Sequence, residues 1–495
     1  MAEILDLPPE LVLRIIDMVY LDDLDNFTSC CKAIRGLADK ALEQHREMKK
    51  NCSTISCGSM SGGLFKVAQH PVMILHAILE DSLYRFYPQT IRVDSCLFQT
   101  DEGYEDEHDD QVLSEVDAIL MDLDDGMFEL LEECPYLKGT DEFSEWYYKW
   151  LDDDGGFCIA LALTMLPNVR ALTITDYSGA RGPVLAKMVE KIVRANVESV
   201  PASPAALSKL SQVRILGTND DFFEDFAMCA LFTVLPSMRS ISGTQILGED
   251  FHWTFEAQLS EIKEVAFEDS AISASSFGEF LKGIKALQRF KYQRTDAYFD
   301  FSFWQPRDII ASLLGNTKDS LEELDLTFVN PWYSDISLAD SALMGSLRSF
   351  NNLKRIRVNV AMFCDEGLEK QKEQGIYVGP VRYNWQDIDG IEHYCTISDG
   401  GDDSDDTSTN DHQLLPFLDI LPASTEKLTL VGFFTKGEAT LLFSGMSTLK
   451  GEQLPKLSEI SLEAATPSAN DLDYKDMRTI CDELGITLRR TVMSP

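Results

Sequence analysis

Between residues 5 and 50 the apolar positions recur at helical spacing. Leu7-Pro8-Pro9-Glu10 reads as a helix start. Proline suits the first turn, where an amide would lack a partner, and an acid there complements the helix dipole. Leu11, Val12, Ile15, Ile16 and Val19 follow in two adjacent rows, Leu11 with Ile15, and Val12 with Ile16 and Val19. After the break at Asp22-Asp23, Leu24 and Phe27 mark a second helix. A third is predicted from about Cys31 to Lys50, with Ile34, Leu37, Ala38, Ala41 and Leu42 on one side. A unit of about 45 residues cannot bury both rows of the first helix by itself. The small, polar stretch at 51–63 reads as a linker, and a helical stretch follows from about Val72 to Phe86.

Beyond residue 86 the period changes. An apolar residue, two variable ones and an apolar–x–apolar triplet recur, as in LPNVRALTIT (166–175), LSQVRILGTN (210–219), LPSMRSISGT (235–244), LSEIKEVAFE (259–268), IKALQRFKYQ (284–293), SLEELDLTF (320–328), FNNLKRIRVN (350–359), ASTEKLTLVG (423–432) and LPKLSEISLE (454–463). A weaker copy stands at YPQTIRVDSC (87–96). The aligned positions are Leu172, Leu216, Ile241, Val265, Phe290, Leu324, Ile356, Leu428 and Ile460, at spacings of 44, 25, 24, 25, 34, 32, 72 and 32. This is a leucine-rich-repeat signal. Each unit predicts a short strand with its apolar residues inward, then a return segment outside, such as 276–284 or 308–314. One unit cannot bury its own apolar face; stacking does. The gap of 72 predicts a degenerate repeat near Ile388 to Ile397 plus an inserted loop.

With 44% hydrophobic and 10% aromatic residues, a chain of 495 residues can form a large core. No segment reaches the roughly 18 to 20 apolar residues that span a bilayer. The acidic start, MAEILDLPPE, lacks the pattern of a signal peptide. A cytoplasmic or nuclear location is therefore expected, with no membrane partner. The net charge of −39 opposes phosphate backbones, so no nucleic-acid partner is expected. Between Asp101 and Asp154, 21 residues are acidic and two, Lys138 and Lys149, are basic. The segments 101–125 and 398–411 read as solvated acidic insertions.

Candidate chemistry is sparse. The 11 cysteines are scattered, and only Cys30-Cys31 and Cys52-x4-Cys57 lie close together. Neither has a second pair at zinc-site spacing, so reduced thiols are expected and no metal or cofactor. His45 and His70 flank the second pair. The chain carries no nucleophile elbow, phosphate loop, dinucleotide fingerprint or His-Glu-x-x-His. No catalytic residue is assigned and no enzyme activity is expected.

Residues 5–42, LDLPPELVLRIIDMVYLDDLDNFTSCCKAIRGLADKAL, resemble an F-box. The family pattern is met by Leu7, Pro8, Glu10, Leu11, Ile15, Asp23, Leu24, Cys31, Lys32 and Leu37. It is departed from at Ala33-Ile34, where many members carry a larger residue after the basic position. The body is similar to that of fungal F-box proteins with degenerate leucine-rich repeats. The resemblance implies an α/β chain. A three-helix F-box at 1–50 would be followed by a linker and helical connection at 51–86. An irregular solenoid would then span 87–490, with parallel strands inside and helices outside. It implies a Skp-family adaptor bound through Leu7, Pro8, Leu11, Ile15 and Leu24, a cullin reached through that adaptor, and a protein substrate held by the repeats. Such a chain is the non-catalytic recognition subunit of a cullin-based ubiquitin ligase. The alternative is a repeat scaffold that binds partners without directing ubiquitination.

For the substrate the residues suggest two aromatics. Trp332 and Tyr333 follow Asn330-Pro331 in a predicted turn, and aromatics on loops of a rigid scaffold are common interface anchors. Phe299, Phe301 and Phe303 alternate with Asp300 and Ser302 like a half-buried strand, Trp304 precedes a proline that opens a helix, and all four are assigned to the core. Arg294 and Arg307 lie nearby in sequence.

Overall fold

A computed structural model of the chain describes residues 7–19, 21–58, 70–94, 119, 123, 126–137, 143, 144, 146, 155–175, 182–197, 206–217, 223–295, 305–329, 346–359, 384–386, 392–394, 420–432, 446, 450, 451, 453–464 and 471–492. The chain divides into two compact units. One is Met1–Phe303 with Gly315–Leu321, the other Trp304–Leu314 with Glu322–Pro495.

The first unit opens with three helices, α1 (Pro9–Met18), α2 (Leu21–Ser29) and α3 (Lys32–Cys52). Then come β1 (Thr54–Cys57), α4 (Val72–Glu80) and β2 (Thr90–Val93). Next are α5 (Gly155–Met165), β3 (Ala171–Thr175), α6 (Gly182–Val197), β4 (Gln212–Leu216), β5 (Glu224–Asp225) and α7 (Phe226–Phe232). The unit continues with β6 (Ser240–Thr244), β7 (Ile246–Gly248), β8 (Glu264–Glu268), β9 (Ala271–Ile272), α8 (Ala274–Lys282) and β10 (Arg289–Thr295).

Seven of these strands form one parallel ladder in the order β1-β2-β3-β4-β6-β8-β10. Its register stacks one apolar column, Ile91, Leu172, Val213, Ile241, Val265 and Phe290, every member at most 3% exposed. Parallel pairing in register makes each repeat bury its neighbour's apolar residue, which no repeat can do alone. Helices cover that face: the ring of Phe277 on α8 meets Phe290 at 5.4 Å and Tyr292 at 4.8 Å between centroids. A second parallel sheet, β5-β7-β9, forms after each strand turns a corner. Gln245 and Asp269 stand at two of those corners with φ of 54° and 47°.

The second unit holds β11 (Glu323–Val329), β12 (Arg355–Asn359), β15 (Lys427–Val431), β16 (Glu459–Ala464), α10 (Asp471–Glu483) and β17 (Thr487–Val492). Its five strands pair in parallel in the order β11-β12-β15-β16-β17. The column is Leu324, Ile356, Leu428, Ile460 and Leu488. Gly485, at φ +67°, closes α10, and the Ile486 amide reaches back to the Cys481 carbonyl at 2.8 Å. The return predicted at 308–314 is found in the helix α9 (Pro306–Thr317).

The α/β class and the parallel strands agree with expectation, but four details differ. Leu172 pairs with Val213 and not Leu216, so that repeat is read three residues out of phase. The stretch taken as linker contains β1, whose Ile55 pairs with Ile91. Ile356 and Leu428 are direct neighbours, so no further strand of the ladder separates β12 from β15; β13 (Asn384–Gln386) and β14 (Glu392–Tyr394) form a separate antiparallel pair, and Ile388 and Ile397 lie outside the described residues. Of the acidic insertion expected at 101–125, positions 119 and 123 are helical and Leu123 is buried, so that end belongs to the fold. The rest of it, and 398–411, lie outside the described residues. Among the described residues no helix is long and apolar enough to cross a membrane.

Candidate partner-binding surface

Pro8, in extended conformation at φ −55° and ψ 143°, caps α1 without a side-chain bond, and its carbonyl accepts from the Leu11 and Val12 amides at 2.9 and 3.2 Å. Val19 returns to extended backbone and ends the helix. On α2 the Thr28 hydroxyl donates to the Leu24 carbonyl at 2.8 Å, which satisfies a buried polar group locally. Val12, Ile16, Leu24, Ile34, Ala38 and Leu42 make one core, with Leu7, Val19, Phe27, Cys31 and Ala41 packed half-buried against it.

The two rows of α1 thus have different fates. Val12 and Ile16 are 3% exposed. Leu11 is 44% and Met18 81% exposed, Pro8 is exposed and Ile15 half-buried. Positions 8, 11, 15 and 18 fall on one helical stripe, so α1 presents an apolar face to solvent beside the one that fills its own core. Leu37 on α3 is also 38% exposed.

Of the residues expected at an adaptor contact, the fold places Pro8, Leu11 and Ile15 together on this stripe. Leu7 is half-buried against the core. Leu24 is 4% exposed and is a correction: it faces the three-helix core and has no surface to offer a partner. Met18 was missed, because its position just before Val19 reads as the end of the core row; the i, i+4, i+7 spacing of Leu11, Ile15 and Met18 is the signal that finds it. Trp332, Tyr333, Phe299, Phe301, Phe303 and Trp304 lie outside the described residues. Arg294 is fully buried and does not serve as a surface anchor, whereas Arg307 is exposed.

The helical unit is tied to the strands that follow. α3 runs to Cys52 and β1 begins at Thr54. His45, 5% exposed on α3, lies with Nδ1 3.3 Å from the Tyr87 hydroxyl just ahead of β2.

Several thiols are pushed towards the protonated form by burial. Burial raises Cys57 to about 12 and Cys229 well above the usual thiol value. Burial and then the neighbouring Asp482 carboxylate bring Cys481 to about 11. A thiol so raised is a poor nucleophile at neutral pH. Among the described residues no cluster of three or more His, Cys, Asp or Glu side chains is placed to hold a metal ion. What the stripe on α1 offers is apolar contact and shape.

No protein-family model matches the chain, and none of the curated proteins is significantly similar to it in sequence.

Proposed function

We propose that the chain is the substrate-recognition subunit of a cullin-based ubiquitin ligase. On this reading the N-terminal helices are an F-box that binds a Skp-family adaptor, and the stacked strands are leucine-rich repeats that hold a protein substrate. The observation that carries the proposal is the stripe Pro8-Leu11-Ile15-Met18, left exposed on a helix whose other row is already buried. Apolar surface aligned on one helix face and rimmed by Glu10 and Arg14 is the form taken by a helix that docks in a partner's groove. The order of elements supports the same reading, three helices running directly into a parallel ladder. Such a subunit does its work by position, raising the local concentration of a substrate lysine at the ubiquitin thioester.

The test is affinity purification of the chain with the proteasome inhibited, read by mass spectrometry. Recovery of a Skp-family adaptor with a cullin supports the proposal. Adaptor without cullin favours a scaffold that does not direct ubiquitination. Recovery of neither overturns both.

A further inference from the structure

The polar face of the ladder from β2 to β6 carries charge opposite to that of the chain. Arg92 on β2 and Arg214 on β4 stand in one row, on either side of Thr173 on β3. Two strand spacings separate them, roughly 10 Å. Both are exposed, as are Arg170 and Arg239 at the starts of β3 and β6. Ser242 on β6 continues the row from Arg214. Among the described residues no carboxylate pairs with Arg92, Arg170 or Arg214. Arg239 spends its guanidinium on carbonyl oxygens, that of Met238 at 2.9 Å and that of Glu261 at 3.5 Å. The acid described at the end of this row of strands is Asp94.

The contrast with the next strands is sharp. There two cations have carboxylates beside them: Arg289 pairs with Glu264, and Lys291 with Glu268 at 2.5 Å. In a chain with 82 acidic and 43 basic residues carboxylates are abundant, yet among the described residues none pairs with Arg92, Arg170 or Arg214. The neighbouring side chains are hydroxyls, which can join an anion's hydrogen bonds without opposing its charge. A guanidinium matches a carboxylate or phosphate with two parallel donors. Acidic groups three residues apart on an extended segment also span roughly 10 Å. With a screening length of about 8 Å at physiological ionic strength, a ligand seated here senses these arginines far more than any charge placed well beyond that distance.

We infer that this face receives an extended acidic segment of the protein substrate, with carboxylate or phosphate groups seated on Arg92 and Arg214. The inference rests on the receptor reading and names the chemistry of what the repeats would hold.

The experiment measures fluorescence anisotropy of short labelled peptides with the full chain. One peptide is rich in Asp and Glu, one carries phosphoserine at the same positions, and one carries serine. The expected result is binding of an acidic peptide and not of the serine peptide, and the comparison of the two acidic arms identifies the anion. Arg92→Glu with Arg214→Glu should weaken it by about tenfold or more. Arg478→Glu, at an exposed ion pair on α10, should leave it unchanged. If the reversal disturbs folding, Arg92→Gln with Arg214→Gln should still weaken binding. Absence of binding by both acidic peptides, equal binding of the serine peptide, indifference to the arginine substitutions, or binding of an oligonucleotide in their place would each overturn the inference. No adaptor is present in the assay. Failure here therefore leaves adaptor binding by α1 untouched, and failure of adaptor binding leaves the peptide result standing.

Discussion

Phe277→Ala should be among the most damaging single changes in the first unit. The ring is fully buried and meets four others, with centroids at 4.8 Å from Tyr292, 5.4 Å from Phe290, 5.9 Å from Phe226 and 6.2 Å from Phe267. Those partners come from β8, β10 and α7, so the ring joins successive repeats to their covering helix. Phe→Ala in a core costs about 3–5 kcal/mol. Each aromatic pair adds roughly 0.5–1.5 kcal/mol beyond the area it buries, which places this site at the upper end. Little collapse is available to relieve the cavity. α8 is pinned at its start, where the Ser273 hydroxyl accepts from the Ser276 amide at 3.1 Å and the Ser276 hydroxyl donates to the Glu249 carbonyl at 3.0 Å. The assay is equilibrium urea unfolding followed by near-ultraviolet circular dichroism. With two units the curve is fitted with separate transitions where it shows them. The expected loss is about 4–5 kcal/mol in the transition of the first unit, with a smaller loss for Phe277→Leu, which keeps most of the buried volume. A loss below about 1.5 kcal/mol for the alanine variant would refute the claim that stacked repeats share this aromatic core.

Three other outcomes are expected. Gly283→Ala should destabilise the first unit, because the added Cβ would stand 2.1 Å from the Trp253 ring; unchanged unfolding with unchanged tryptophan fluorescence would contradict the packing. Arg357 is half-buried and holds Asp325 and Glu463 at 3.0 Å each, so Arg357→Met should cost the second unit about 1–2 kcal/mol, measured by the same unfolding curves. Cys57 and Cys229 should resist iodoacetamide at neutral pH in the folded chain and react in urea, as read by peptide mass spectrometry, since both are buried and their thiols are pushed up; rapid native labelling would count against it.

The repeating strand pattern was legible wherever an apolar–x–apolar triplet is flanked by polar residues, as at Val265 and Phe267 or Leu324 and Leu326. It failed where the apolar spacing is ambiguous. Leu207, Leu210, Val213 and Leu216 are each three residues apart, so the motif fits in two phases, and only the alternation of Val213 with Ile215 marks the right one. β1 was missed because Thr54–Cys57 is short and mostly small or polar, and pairing to β2 defines it. Strands of two or three residues, such as β5 and β9, carry no period at all. On the candidate surface the two rows of α1 were visible in the sequence. Which row turns inward was not, because Leu11 and Val12 are equally apolar and the packing of α3 decides. Leu24 shows the same limit on α2: an apolar residue in a matching motif reads alike whether it fills the core or meets a partner.

The central claim is that α1 docks on a Skp-family adaptor, and titration calorimetry of the purified full chain with purified adaptor tests it most directly. Full burial of a large apolar side chain contributes about 1.5–3 kcal/mol. Scaled by the exposed fractions, Leu11 has roughly 0.7–1.3 kcal/mol left to gain from a partner and Met18 roughly 1.2–2.4. The account predicts binding by the wild-type chain and loss of about 30-fold to several hundredfold in affinity for Leu11→Ala with Met18→Ala, with the unfolding curve little changed. No binding by the wild-type chain, or equal binding by the double variant, would contradict it.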